Sequence, residues 1–424
     1  MINVSNLKEH FLAEVLQYIK TKEAKEVVYK ELGYHLKMSK LELVSKGSNE
    51  DEAEEKAIKK MGSPKEIGAH FNKLYRPKFD WKLFGLFIII ILMGILPTLN
   101  VQDRYSDNLF LKQMIYIALG IIVAISVMLI DYRRIMRFGW LFLIAAISLL
   151  LALNFIPNLV INGVSYIHIF GITISGSSLL PLFLVFWAYY FSKEKQKPFV
   201  IIGVYLISVL LFLGLPSISA AIVYSVLVLA LFCCSSFSKK SIFTTIGVCS
   251  GVFLTCFTIF WFTVESYQKI RLRAFFNPDD YPINEGYAYL VLKDLITDGG
   301  WFGNKVPPKY IGIMTPDMAF ANITYFYGWI LSGFLFVLVL LLTYRLIVVS
   351  TQIKDRIGKQ LILGVCALLS IQFVYNIGMI LGLLPIISIS LPFISYGLTP
   401  TVLNSLLIGM VLSVYRRKHL VINI

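Results

Sequence analysis

Charge is scarce in this chain. Only 15% of its 424 residues are Asp, Glu, Lys or Arg, against about 25% in an average soluble domain. A soluble protein of this length has too much surface for so few charges, so a soluble enzyme is excluded. Cysteine is rare as well. The five, Cys233, Cys234, Cys249, Cys256 and Cys366, lie inside apolar runs with no metal-ligand spacing. That excludes a disulfide scaffold and points away from a zinc or redox centre. Acidic residues are fewer than basic ones, 25 against 39, giving a net charge of +14. What the chain has in quantity is apolar residues, 57% of the total. They come in long runs without the alternation of a membrane barrel. The class this implies is all-α and polytopic in a membrane.

Two regions are expected, 1–79 and 80–424. In the first, Leu7, Phe11, Val15 and Ile19 recur every four residues, which places them on one helical stripe. Val28, Leu32 and Leu36 repeat the pattern. Gly47 breaks it, and Ser48 with Asp51 forms a capping box for a third helix carrying Ala53, Ala57 and Met61. Ser63 and Pro64 open a fourth helix, as N-cap and first helical residue. A small soluble domain of four helices is predicted.

From Asp80 onward the apolar runs begin. A helix needs about 20 apolar residues to cross a bilayer core. Ten segments qualify: 83–100, 110–130, 137–156, 174–191, 199–215, 217–236, 242–263, 322–349, 360–383 and 398–415. Placing the N-terminal region in the cytoplasm tests the count. The inner loops then hold Arg133, Arg134 and Arg137, Lys193, Lys195 and Lys197, Lys239 and Lys240, Arg345 through Lys359, and Arg416, Arg417 and Lys418. The outer loops 157–173, 214–216 and 384–397 hold no Lys or Arg. Basic residues collect on the cytoplasmic side, so both termini are expected inside and the loop 264–318 outside. The same bias accounts for much of the +14 without nucleic acid.

Chemistry concentrates in that outer loop, which carries Asp317 among seven acidic residues, and Arg271, Arg273 and Lys305 among six basic ones. Trp301 and Phe302 read as aromatic anchors at the membrane interface. Inside the ninth run, Gln372 and Asn376 stand four apart and share a helix face. Intramembrane polar groups face a cavity or a neighbouring helix. These two serve either a substrate path or interhelical hydrogen bonds.

Two resemblances follow. The first region, with Lys46-Gly47, Ala53, Ala57 and Met61-Gly62-Ser63-Pro64, resembles the permease-prefix or HAAS-type domains that precede some bacterial membrane proteins. Near the other end stands Leu391-Pro392-Phe393-Ile394-Ser395-Tyr396-Gly397, preceded by Gln372-Phe373-Val374-Tyr375-Asn376 and Gly382-Leu383-Leu384-Pro385. Earlier come Asp80-Trp81, Gln113, Asp131-Tyr132, Arg271 to Pro278 and Gly299-Gly300-Trp301-Phe302-Gly303. Together these resemble the SEDS family of bacterial cell-wall proteins, FtsW, RodA and SpoVE, from about residue 80 to the end. The resemblance implies a ten-helix bundle in the plasma membrane, serving cell division, cell shape or sporulation.

It also implies an activity, peptidoglycan glycosyl transfer from lipid II, a class B penicillin-binding protein as partner, and a divalent cation as a possible cofactor. The family's loop ends in Pro-Glu-x-x-Thr-Asp-Phe, where the Asp is essential. This chain reads Thr315-Pro316-Asp317-Met318-Ala319-Phe320-Ala321. Ala321 takes the place of the essential Asp, and Asp317 that of the Glu. The fourth-helix Glu and Lys of the family are also missing from Ser175 to Pro181. Three functions fit. One is a transferase with Asp317 as base, Arg271, Arg273 or Lys305 near the diphosphate, and Gln372, Asn376 and Ser395 contacting substrate. Another is a non-catalytic relative that binds precursor or transpeptidase and regulates wall synthesis. The last is a flippase for the lipid-linked precursor.

Overall fold

A computed structural model of the chain describes residues 5–99, 108–156, 159–161, 164–169, 172–193, 196–215, 218–263, 270, 273–306 and 315–420. It divides into two compact units, Met1–Phe79 with Tyr415–Ile424, and Asp80–Val414.

The first unit holds α1 (Ser5–Gln17), α2 (Lys22–Ser45), α3 (Glu50–Met61) and α4 (Pro64–Leu74). Phe11 and Val15 of α1, with Ile19 just beyond it, are buried against Val28, Leu32 and Leu36 of α2, while Leu7 is half-buried outside that core. The start of α3 differs from expectation. Asn49 is its N-cap, and the Asn49 side chain accepts from the Glu50 N–H, so the Ser48–Asp51 box is not the cap. Ser63 is the N-cap of α4 with Pro64 next, but its side chain makes no cap hydrogen bond. Tyr75 donates to a Glu31 carboxylate oxygen at 2.6 Å. Burial, reinforced by Glu31, pushes its phenol above the ordinary tyrosine value.

One component of this unit comes from far along the chain. Leu420 belongs to the same apolar core as Phe11, Leu12 and Val28. Arg417 is 2% exposed and donates from Nε and Nη2 to the Glu23 carboxylate, at 3.1 and 2.8 Å. A buried guanidinium needs such a partner. Glu23→Ala is expected to lower the melting temperature of this unit, with a loss of about 3 kcal/mol, because the Arg417 guanidinium would stay buried without that carboxylate. Thermal unfolding followed by circular dichroism on the full chain measures it.

In the second unit, ten apolar helices fall on the ten predicted runs. They are α5 (Trp81–Met93), α6 (Leu109–Leu129), α7 (Gly139–Phe155), α8 (Leu180–Ser192), α9 (Pro198–Gly214), α10 (Ile218–Cys233) and α11 (Lys239–Thr263). After α12 (Tyr287–Asp298), a helix of the long loop, come α13 (Ala319–Gln352), α14 (Arg356–Ile380) and α15 (Leu398–Arg416). Five spans, Trp81–Leu99, Leu109–Leu129, Pro316–Gln352, Arg356–Ile380 and Leu398–Arg416, are long and apolar enough to cross a membrane. Four others among the described helices are apolar but shorter.

Helix α8 lies at the centre, with Phe183, Phe186, Trp187 and Phe191 all fully enclosed. The Trp187 indole N–H finds the Tyr224 hydroxyl of α10 at 3.2 Å, which satisfies its one buried donor. One end of the bundle is tied by charge. Asp80 caps α5 through the Leu83 N–H and accepts from Nε and Nη2 of Arg345 of α13, the shortest contact at 2.8 Å. Nearby in the chain order, Asp355 caps α14 and accepts from the Tyr132 hydroxyl at 2.8 Å. Burial and the Asp355 carboxylate raise the Tyr132 phenol.

The all-α expectation has one exception. Between α7 and α8 lie three short antiparallel strands, β1 (Leu159–Ile161), β2 (Val164–Ile169) and β3 (Ile172–Ile174), in the order β1-β2-β3. In register, Leu159 faces Tyr166, and His168 faces Thr173. The sequence carried the cue. Asn162-Gly163 between apolar-rich stretches is a strong two-residue hairpin signal.

Candidate functional site

The long loop 264–318 meets the bundle where α13 begins. Pro316–Met318 form a single 3-10 turn ahead of α13, and Asp317 sits in the middle of it. Three other chain segments converge on this residue. Asn376, near the end of α14, donates from its amide nitrogen to the Asp317 carbonyl and to the Ile389 carbonyl, both at 2.7 Å. Ser388, in the segment after α14, donates its hydroxyl to the Asp317 Oδ2 at 2.7 Å. Tyr166 of β2 feels the Asp317 charge. Burial first, and that carboxylate second, push its phenol above the ordinary value.

Asn376 is fully buried. An asparagine side chain with two backbone acceptors in separate segments locks the Asp317 turn to the loop that carries Ser388. The carboxylate is therefore held at both ends, by its backbone through Asn376 and by its oxygen through Ser388. Such fixing is what a proton-accepting group requires.

The loop 381–397 has its own scaffold. Leu391 donates its N–H to the Ser395 hydroxyl oxygen at 2.7 Å, and Ser395 is 1% exposed. Between them Phe393 has φ 68°, a left-handed conformation rare for a bulky side chain. Its ring is enclosed and meets Phe87 edge-on with centroids 5.5 Å apart. Packing holds the strained residue in place. Beside it Tyr396 lies 5.8 Å from the Tyr116 ring, and burial with Tyr116 pushes its phenol up to about 12. Thr399, at the start of α15, donates to the Thr173 carbonyl of β3 at 3.1 Å, tying the sheet to this end of the bundle.

The Gly299–Gly303 stretch has a physical reason. Helix α13 is broken at Gly328, with φ 84° and ψ 173°. A break frees backbone N–H groups that apolar surroundings cannot satisfy. Here the Trp329 N–H donates to the Gly300 carbonyl at 2.9 Å, and the Asn304 N–H donates to the Tyr325 carbonyl at 2.7 Å. The two backbones touch. A Cβ on Gly328 would stand 2.2 Å from the Trp301 oxygen, and one on Gly303 2.2 Å from the Phe326 oxygen. Gly328→Ala is expected to cost about 1–3 kcal/mol from the backbone conformation alone, plus the clash. Limited proteolysis of the purified chain would show it as new cleavage after α12.

The predicted site residues divide. Asp317 and Asn376 are brought together. Gln372 is not part of that contact, since its amide nitrogen donates to the Leu368 carbonyl one turn back on its own helix. Ser395 accepts from the Leu391 N–H and closes a buried turn. Arg273 and Lys305 are exposed on the loop, and Arg271 lies outside the described residues. Ala321 is fully buried on the first turn of α13. Ser388 and Tyr166 were not foreseen. Tyr166 had the hairpin cue, whereas one serine in an apolar loop carries no cue.

The family model for FtsW, RodA and SpoVE, described as a cell cycle protein, matches residues 78–420. The chain belongs to this family. Among its relatives, a probable peptidoglycan glycosyltransferase FtsW of Trichlorobacter lovleyi is 26% identical over 354 residues, 78% of this chain and 89% of that protein. Stage V sporulation protein E of Bacillus subtilis is 24% identical, covering 74% and 89%. Peptidoglycan glycosyltransferase RodA of Treponema pallidum is 22% identical, covering 80% and 98%. A chain of a solved peptidoglycan synthase complex shares the fold at a TM-score of 0.68 and 22% identity, covering 80% of this chain and 98% of its own. The rod shape determining protein RodA of Thermus thermophilus shares it at 0.59 and 19%, covering 80% and 97%. The protein is thus a multi-pass FtsW/RodA/SpoVE-type membrane protein.

The residues gathered here test the implied divalent cation. Asp317 is joined by a serine and an asparagine, and among the described residues no second carboxylate, histidine or thiolate contacts it. Among the described residues no three His, Cys, Asp or Glu side chains cluster. A hard divalent cation takes several oxygen ligands, usually including more than one carboxylate. This donor set does not fit one, and no step below passes through a metal.

Proposed function

We infer that the chain is a peptidoglycan glycosyltransferase that polymerises lipid II, with Asp317 as its general base. The observation that carries this is the fixed Asp317 carboxylate, hydrogen-bonded by Ser388 and anchored by Asn376. In the reaction, the acceptor hydroxyl gives its proton to Asp317 as its oxygen attacks the anomeric carbon of the donor. The bond from that carbon to the lipid diphosphate breaks, and the diphosphate leaves with the electron pair. Arg273 and Lys305, with Arg271, are the cations of the same loop that would offset its charge. Tyr166 borders the carboxylate and would contact the acceptor sugar.

The names of the relatives support the substrate, and the loop charges support the orientation. With both termini in the cytoplasm, the Asp317 end of α13 faces outward. The Asp80–Arg345 pair then faces inward, on the order of 40 Å away along α13. A class B penicillin-binding protein is the proposed partner, in keeping with the synthase complex that shares the fold.

Ala321 favours a second reading. Because the family's essential Asp is a buried methyl here, the chain could instead bind precursor or transpeptidase and regulate wall synthesis without turnover. One experiment separates the two. Purified full chain in lipid vesicles is given labelled lipid II, with and without the transpeptidase, and glycan strands are resolved on a gel. Strands made by folded wild type support the transferase. Their absence under every condition overturns it and leaves the regulator.

A further inference from the structure

Helix α2 has two apolar faces, and the fold uses one. Leu32 and Leu36 are buried in the core of the first unit. On the opposite side of the same turns, Tyr34, Met38 and Leu41 are 47%, 49% and 54% exposed. The spacing 34, 38, 41, 45 is four-three-four, the repeat of a two-stranded coiled-coil seam. Three large apolar side chains in that repeat, on a helix whose other face is already packed, form an unpartnered stripe.

The flanking charges say what covers it. Assigning Tyr34 and Leu41 to d, and Met38 and Ser45 to a, puts Lys30 and Lys37 at g, and His35 and Glu42 at e. In a parallel pair, each g residue faces the e residue five positions on in the partner helix. Lys37 then faces Glu42 of the other helix, twice by symmetry. In an antiparallel pair, g faces g, and the lysines at 30 and 37 oppose one another. The Lys37–Glu42 exchange, made twice by symmetry, exists in the parallel arrangement only, while Lys30 there meets His35 without a charge of opposite sign.

We propose that the first unit is a homodimerisation module, with α2 of two chains pairing in parallel through Tyr34, Met38 and Leu41. The interface spans fewer than two heptads and is weak by itself. Confinement of both chains to one bilayer raises their effective concentration, so a weak contact suffices. Glu42 also contacts Lys46 on its own helix, with both side chains more than half exposed. That surface pair is worth little and does not compete with the exchange. The proposal does not depend on the transferase reading, since none of these residues belongs to the Asp317 site.

The test counts chains. Full-length protein carrying one fluorophore is placed in vesicles of neutral phospholipid at low density, and photobleaching steps per spot are scored. Wild type is expected to give two-step spots. Met38→Lys with Leu41→Lys is expected to lower their fraction about tenfold, since two like charges then face each other in an apolar seam. Lys37→Glu alone is expected to lower it about threefold, the worth of an exposed pair. Lys37→Glu with Glu42→Lys is expected to restore it. One-step spots for wild type, or two-step spots surviving the seam lysines, would overturn the proposal. Failure of the double charge exchange to recover what the single one lost would overturn the parallel register. Helical content by circular dichroism confirms that each variant is folded, as the exposure of all four positions leads one to expect.

Discussion

Asp317→Asn is expected to reduce strand synthesis by about 100-fold to 10,000-fold, the usual worth of a positioned general base. The substitution is close to isosteric, so the turn Pro316–Met318 survives. The Asn376 amide still meets the backbone carbonyl at position 317, which no side-chain change removes. Ser388 can still donate to an amide oxygen in place of Oδ2. What disappears is the ability to accept a proton at neutral pH. Binding of lipid II should stay within a few-fold, and the loss should fall on turnover. Equal loss of binding and turnover would point to a substrate-holding carboxylate instead, and unchanged turnover would remove Asp317 from the mechanism. Ser388→Ala provides the graded control. It removes one hydrogen bond to a charged group, on the order of 1.5–3 kcal/mol when buried and less here at a partly open site.

Ala321→Asp is expected to be destabilising rather than restorative. The position is fully enclosed, flanked by Phe320 and Asn322, which are buried too. Adding a carboxylate overfills the space, at about 1–3 kcal/mol. A charge taken into a fully enclosed position needs a partner, and without one the group would neutralise or the turn would open. The measurement is the melting temperature together with strand yield. A variant that stays folded and makes more strands than wild type would mean that position 321 addresses substrate, and that Asp317 had been given the wrong role.

Much of the bundle was legible because lipid imposes a blunt rule. Twenty apolar residues with basic residues at alternate ends leave few alternatives, and the ten helices overlie the runs, with α5 ending seven residues before its run and α8 starting six residues after its own. Finer features obey rules that act at a distance. Gly299–Gly303 is conspicuous as a string, but its purpose depends on Gly328, whose unusual conformation no local pattern announces. Asp317 stood out as a carboxylate beside a vanished one. Its partner Ser388 did not, because a hydroxyl acquires meaning only from what the fold places opposite it. Arg417 shows the limit most clearly. In the sequence it is one of three basic residues closing the last helix, an ordinary topological charge. In the fold it is buried against Glu23, 394 positions earlier. Position-based charge rules count such a residue correctly and assign it the wrong neighbour.

The Arg417 and Leu420 contacts also set an order of events during synthesis. Helices α1 to α4 leave the ribosome well before α15, yet their core lacks Leu420 and their Glu23 lacks its Arg417 cation until α15 has been made. Completion of the first unit is therefore a late step. Residues 417–420 act as its closing piece, so a break in the chain ahead of Arg417 would leave the first four helices without one core side chain and one ion pair.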